Sequence, residues 1–199
     1  PDPRRPGAVR VRAGEVTWTV AAADATALGV ARGAAVDDAL RTALERAADA
    51  EAALRTALRA IARRGFARAD LGRRLVRKGH PSTAVEVALE RCAGLGLLDD
   101  AAFARQFVET RAARGRGPAR LRRDLSAMGV ARELVDAALA ATAGDGETAA
   151  GQALALAERR IGQLQGLPKL AQRRRLAAYL ARRGFTGEAA RKAIGQVVG

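Results

Sequence analysis

Residues 75–89 read LVRKGHPSTAVEVAL. Leu75 is followed four positions on by Gly79, and Val85 and Leu89 come six and ten positions after that glycine. The frame recurs in LSAMGVARELVDAAL (125–139), with Leu125, Gly129, Val135 and Leu139, and in LARRGFTGEAARKAI (180–194), with Leu180, Gly184, Ala190 and Ile194. One local structure accounts for this spacing. A helix buries its leucine on the last turn and ends at a glycine, where positive φ is cheap. A short turn then leads into a second amphipathic helix that folds back on the first.

Outward from each pair, a further helical stretch precedes it, at roughly 51–64, 100–113 and 148–164. Its expected apolar faces are Leu54/Leu58/Ile61, Phe103/Phe107 and Leu154/Ala157/Ile161. Pro168 lies twelve residues before Leu180, whereas Pro118 lies only seven before Leu125. The last unit should therefore have a longer middle helix or a longer approach to it. The segment TAGDGET (142–148) is the expected flexible joint.

At the other end, VRVRAGEVTWTV (9–20) alternates apolar and polar residues on both sides of AGE, which predicts two short strands around a turn. Trp18 is expected to pack that element, because no second aromatic accompanies it as a base-stacking platform would require. The expected fold class is all-α: tandem three-helix modules forming an elongated, curved solenoid, with a short N-terminal β element. The divisions are 1–50 (strands and helix), 51–99, 100–146 and 147–199 (three-helix repeats 1, 2 and 3). Such modules stack on their neighbours to bury what one alone cannot.

Alanine, leucine and arginine dominate, and aromatics make up only 3% of the chain, a composition that favours helix. No apolar run of about 18 residues is present, and PDPRRPGAVRVR lacks the apolar core of a signal peptide. Cys92 is the only cysteine, so an intrachain disulfide is impossible and a reducing cytoplasmic setting is expected. The net charge is +14, with 35 basic residues against 21 acidic, and the last quarter, residues 151–199, carries +8 of it. Such a balance attracts polyanions: nucleic acid, acidic protein surfaces or anionic lipid.

Asp99 and Asp100 sit where the loop after GLGLL becomes the helix of Phe103 and Phe107. Aspartates there accept hydrogen bonds from free helical N–H groups and face the positive end of the dipole, so helix capping is the expected role. His80 before Pro81 reads as a turn residue, and Cys92 as a small buried apolar group. There is no phosphate-binding loop, no nucleophile with a base partner and no metal-ligand spacing, so neither catalysis, a cofactor nor a metal is expected.

The arginines carry the functional reading. In RGRGPARLRRDL, Pro118 fits the first turn of a helix with Leu121, Leu125 and Met128 inward. Arg120 and Arg123 then fall on one outer flank and Arg122 on the other. Gly115 and Gly117 allow a tight backbone that brings Arg114 and Arg116 beside them. Little acidic charge offsets the cluster in sequence. Arg173, Arg174 and Arg175, with Arg182 and Arg183, form a second and stronger group. Arg73, Arg74 and Arg77 form a third, in LGRRLVRKGH. All thirteen are candidate nucleic-acid contacts, set against the plainer reading of a solvated helix surface.

The stretch LGLLDDAAFARQFVETRAARGRGPARLRRDLSAMGV (95–130) resembles the core signature of the regulatory protein RecX family. LGRRLVRKGHPSTAVEVAL (71–89) and YLARRGFTGEAARKAI (179–194) are similar to other modules of that family. One position departs: Ala67 stands where the family has a Ser three residues before the acidic–Leu pair, here Asp70 and Leu71. The loss of that cap should cost about 1 kcal/mol. The resemblance implies a bacterial modulator of the RecA recombinase that lodges along the RecA–DNA filament. It implies suppression of filament growth, ATP hydrolysis and strand exchange, with no enzymatic activity and no cofactor. The partners implied are the RecA filament and single-stranded DNA, with double-stranded DNA second, bound without sequence preference by a monomer and away from membranes. The alternative is a stand-alone helix-turn-helix DNA-binding protein, which needs base-reaching side chains at a helix start. PSTAVEV, ARELVDA and GEAARKA offer no Asn or Gln there.

Overall fold

The computed structural model describes residues 7–143 and 147–199. The middle of TAGDGET, residues 144–146, lies outside the described residues, so the expected joint has no structural description. The chain divides into two compact units, Pro1–Asp99 and Asp100–Gly199.

In the first unit, β1 (Ala8–Ala13) and β2 (Val16–Ala21) form an antiparallel hairpin in which Ala13 pairs with Val16. Gly14 has φ of +60° at the first of the two loop positions while Glu15 keeps a negative φ, the arrangement of a type II′ turn. Strand alternation puts Val11, Trp18 and Val20 on one face, where they pack with Leu44. Trp18 is thus a packing residue, as the sequence predicts. A short helix that the sequence reading does not foresee, α1 (Ala22–Ala27), follows the hairpin. One Arg91 amino group reaches both carboxylate oxygens of its Asp24, at 2.6 and 2.7 Å.

Helix α2 (Asp38–Ile61) runs unbroken across residue 50, where the expected division separates an N-terminal helix from the one at roughly 51–64. Asp37 caps it, its carboxylate accepting from the Leu40 N–H at 2.7 Å. Its apolar face also differs from expectation. Leu54 and Ile61 are only partly buried and Leu58 is 37% exposed, while Ala50, Ala53 and Ala57 are buried. The cause is the partner helix. Ala84 and Ala88 of α4 (Ser82–Gly94) meet Ala50 and Ala53, and small side chains on both sides bring the two backbones close. Between them, α3 (Arg68–Arg77) supplies Leu71 and Leu75, which join Phe66, Val85, Leu89 and Cys92 in one core. Ala67 is the N-cap of α3 and makes no side-chain cap bond, as the missing hydroxyl predicts.

The second unit contains α5 (Asp100–Ala112), α6 (Pro118–Ala127), α7 (Arg132–Ala143), α8 (Glu147–Ile161), α9 (Lys169–Arg183) and α10 (Gly187–Val197). A single 3-10 turn, Gly162–Leu164, lies between α8 and α9. Helix α9 has 15 residues where α3 and α6 have 10, which is the longer middle helix read from Pro168. Leu121 and Leu125 of α6 are buried as expected. In α5, however, Ala104 and Val108 are buried, and Phe103 and Phe107 are half-buried. Those two rings lie 6.0 Å apart on the rim. The last core gathers Ala153, Ala157, Leu176, Leu180, Phe185, Ala190 and Val198.

The repeated frame is one repeated geometry. Gly79, Gly129 and Gly184 have φ of +88°, +83° and +93°, and Val85, Val135 and Ala190 are buried. His80 sits in the first of these turns with Nε2 2.9 Å from Thr56 Oγ1. The all-α class of three-helix modules with a small N-terminal hairpin is the observed fold.

Candidate functional site

The candidate arginines divide by what already occupies them. A guanidinium beside a carboxylate has its charge largely offset and its position fixed, whereas one facing solvent with no anionic neighbour attracts a polyanion at short range.

In the first unit, Arg73 lies 3.7 Å from Asp70. Arg74 leans over Phe66 with its guanidinium carbon 5.8 Å from the ring centroid, and its buried Nε finds no hydrogen-bond partner among the described residues. Arg64, which the sequence reading passes over, stacks on the same ring at 3.8 Å. Arg77 is exposed on the last turn of α3. Of this group, Arg73 and Arg74 are tied into local structure.

The middle cluster corrects an expectation. Acidic charge does offset it, because Asp124 and Asp136 take up most of its arginines. Arg116 donates to Asp124 at 2.8 Å, and Arg120 Nε lies 3.8 Å from the same carboxylate. Arg122 pairs with Asp136 of α7, which Arg132 also approaches at 3.6 Å. The Arg120–Asp124 spacing of four is readable in sequence. Asp136 is 14 residues from Arg122 and meets it only because α7 folds back on α6. Arg114 and Arg123 remain exposed, with no partner among the described residues.

The tight backbone at Gly117 serves contact with the third repeat rather than fanning arginines outward. The Gly117 N–H donates to the Arg183 carbonyl at 2.7 Å and the Ala119 N–H to the Gly184 carbonyl at 3.2 Å. The carbonyls at the end of α9 thus accept from the first free N–H groups at the start of α6. A Cβ on Gly117 would lie 2.5 Å from the Gly184 carbonyl carbon, and one on Gly184 would lie 2.5 Å from Arg120 Cβ. This crossing joins two clusters that are far apart in sequence. Arg120 Nη1 donates to the Arg182 carbonyl at 3.3 Å, and Arg183 Nη1 would be 3.7 Å from a Cβ on Gly115.

Helix α9 supplies the least compensated charge. Its sequence, KLAQRRRLAAYLARR, contains no acidic residue, so no i,i+4 ion pair can form within it. Arg173 turns aside to donate to the Val198 carbonyl at 3.1 Å. Arg183 stacks on Tyr179 at 5.4 Å, with Arg160 at 5.6 Å from the same ring. At 100° per residue, Arg174, Arg175 and Arg182 point within about 60° of the direction opposite Leu176 and Leu180. All three are exposed, without a partner among the described residues. They form one outward basic face, and Arg173 and Arg183 flank the buried stripe instead.

Asp99 precedes the first helical residue of α5 and Asp100 lies in its first turn, the positions from which aspartates cap. Burial raises the pKa of the Cys92 thiol, so it stays protonated and unreactive. A hydrogen bond from Lys192, 2.9 Å away, and its charge lower the pKa of Glu188. Among the described residues no group of three or more His, Cys, Asp or Glu could hold a metal ion, and no helix is long and apolar enough to cross a membrane.

Comparison with known proteins falls on these same elements. The family model for the second three-helix domain of RecX matches residues 99–139, and the model for the third three-helix domain matches 150–194. Regulatory protein RecX of Xanthomonas oryzae pv. oryzae (strain MAFF 311018) is 40% identical over 131 residues, covering 66% of this chain and 79% of that protein. Regulatory protein RecX of Halorhodospira halophila is 42% identical over 135 residues, covering 66% and 80%. Among solved structures, a crystal structure of regulatory protein RecX aligns with a TM-score of 0.78 at 21% identity, covering 98% of this chain and 94% of the other. RecX from Lactobacillus salivarius aligns at 0.65 and 17% identity, over 75% of this chain and 96% of that one. At these identities the structural matches speak for the fold.

Proposed function

The chain belongs to the regulatory protein RecX family, and from that premise we propose that it regulates the RecA recombinase by binding the RecA–DNA filament. In this reading it hinders filament extension and lowers ATP hydrolysis and strand exchange, so modulating recombinational repair and the SOS response. It works in the cytoplasm as a monomer, through binding alone and without a cofactor. The observation that carries the reading beyond family membership is the outward face of α9. Arg174, Arg175 and Arg182 point together into solvent on a helix without a single acid.

Phosphate contact is the chemistry that face suits. Guanidinium groups neutralise phosphates irrespective of base identity, so the expected DNA affinity is sequence-tolerant and falls steeply with salt. The thirteen sequence candidates accordingly rank unequally. Arg174, Arg175, Arg182, Arg114, Arg123 and Arg77 are proposed as filament or DNA contacts. Arg73, Arg74, Arg116, Arg120, Arg122, Arg173 and Arg183 are proposed chiefly to hold the modules in shape.

The test is DNA-dependent ATP hydrolysis by the cognate recombinase on single-stranded DNA, titrated with this protein. Substoichiometric protein should lower the rate. Unchanged hydrolysis with protein in excess would defeat the proposal. Tight binding to one duplex sequence that persists at high salt would favour the helix-turn-helix alternative.

A further inference from the structure

Leu170 is the most exposed large apolar residue among those described, at 81%. It stands on the first turn of α9, which Pro168 caps. Beside it an open groove of about 770 Å³ runs between α9 and α10. Ala177 and Ile194 line the groove, and Arg173, Arg174 and Arg191 edge it without any carboxylate. Arg173 is held at that edge by the Val198 carbonyl. Arg174 has no partner among the described residues, and Arg191 lies exposed near Glu188 of its own helix, whose carboxylate feels its charge. The neighbouring acid on α10, Glu188, is bound to Lys192.

We propose that this groove docks an acidic segment of a protein partner, with a large apolar side chain of that segment seated against Leu170 and Ile194. An aliphatic centre with a charged rim is the anatomy of a protein–protein contact. Arginines at such a rim form strong charge-assisted hydrogen bonds to carboxylates. Single-stranded nucleic acid is a poorer fit, because bases stack on aromatic side chains and the groove has none. The groove adjoins the outward face of Arg175 and Arg182 and shares Arg174 with it, so α9 is proposed to present phosphate-contacting charge beside a protein-docking groove. The proposal takes the recombinase as the partner from the proposed function; the groove and its chemistry stand apart from that choice.

The experiment uses the full chain with the cognate recombinase assembled on oligo(dT), and oligo(dT) alone. A benzophenone amino acid placed at position 170 should crosslink on illumination to the recombinase and not to the oligonucleotide. Leu170→Ser should weaken filament inhibition about tenfold or more, the ratio that burying one leucine supplies. Its binding to naked oligo(dT) should stay within about twofold of wild type, and its urea midpoint should not move. Arg191→Ala, which leaves the outward face of α9 intact, should weaken inhibition as well while binding to naked oligo(dT) stays unchanged. Full inhibition by Leu170→Ser, or crosslinking to DNA, would overturn the proposal. So would crosslinking to a second copy of the chain together with a concentration-dependent dimer in sedimentation. If the benzophenone variant crosslinks to the recombinase while wild type leaves ATPase unchanged, the inhibitory function fails and the groove stands. If wild type inhibits and Leu170→Ser inhibits equally, the groove fails and the function stands.

Discussion

Gly117→Ala is the substitution on which the joint between the second and third repeats depends. Gly117 has φ of −78°, which alanine adopts freely, so any cost comes from contact and not from backbone strain. The added Cβ would sit 2.5 Å from the Gly184 carbonyl carbon and oxygen and 2.8 Å from the Phe185 nitrogen. These are backbone atoms and cannot swing aside as a side-chain tip would. Relief requires the α6 N-terminus to part from the α9 C-terminus. That breaks the bonds from the Gly117 and Ala119 amides, at 2.7 and 3.2 Å. Two hydrogen bonds at about 0.5–1.5 kcal/mol each, with added strain from overpacking, give an expected loss of about 2–4 kcal/mol. The assay is urea unfolding followed by far-ultraviolet circular dichroism, with amide hydrogen exchange at residues 117 and 119. The midpoint should fall and protection at both amides should drop. Gly151→Ala is the control: it lies within α8 with nothing within 4 Å of its added Cβ, and should stabilise by about 0.5–1 kcal/mol. An unchanged midpoint for Gly117→Ala, with both amides still protected, would refute the close approach.

Charge reversal of Arg174, Arg175 and Arg182 together should weaken binding to single-stranded DNA and flatten log K against log salt by about 2, with circular dichroism unchanged. An unaltered salt slope would remove phosphate contact from this face. Replacing both Asp99 and Asp100 with Asn should leave melting and activity nearly intact, whereas Ala at both should cost about 1–2 kcal/mol. Loss of inhibition in the double Asn variant at unchanged melting would instead make the carboxylates functional. Cys92 should resist thiol reagents in the native state and react only as urea unfolds the chain. Because burial raises its folded pKa, its contribution to stability is fully present below the ordinary thiol range and is lost as pH rises from there through the raised folded value. A Cys92→Ala variant that keeps the same alkaline loss would assign that loss to other groups.

The sequence alone determined the three-helix frame, because each part of it rests on local physics. Leu75, Leu125 and Leu180 recur at fixed distances before glycines whose positive φ is needed at a helix end, and that need is set by the backbone of a few residues. The hairpin about Gly14 and the inward stripe of Leu121 and Leu125 were legible for the same reason. What reaches across the chain was not. The alanine contact of α2 with α4 displaced the expected Leu58 face, because the distance between two helices is fixed by both surfaces together. Asp136 neutralises Arg122 from the next helix, so the free charge of the middle cluster was decided by folding and not by composition. Gly117 and Gly184 looked like two unrelated turn glycines, and only their meeting explains why neither position has room for a side chain. A periodic pattern records what one helix must bury. Which arginines are left facing solvent depends on every carboxylate and carbonyl that the fold brings within reach, and that is a property of the assembled structure.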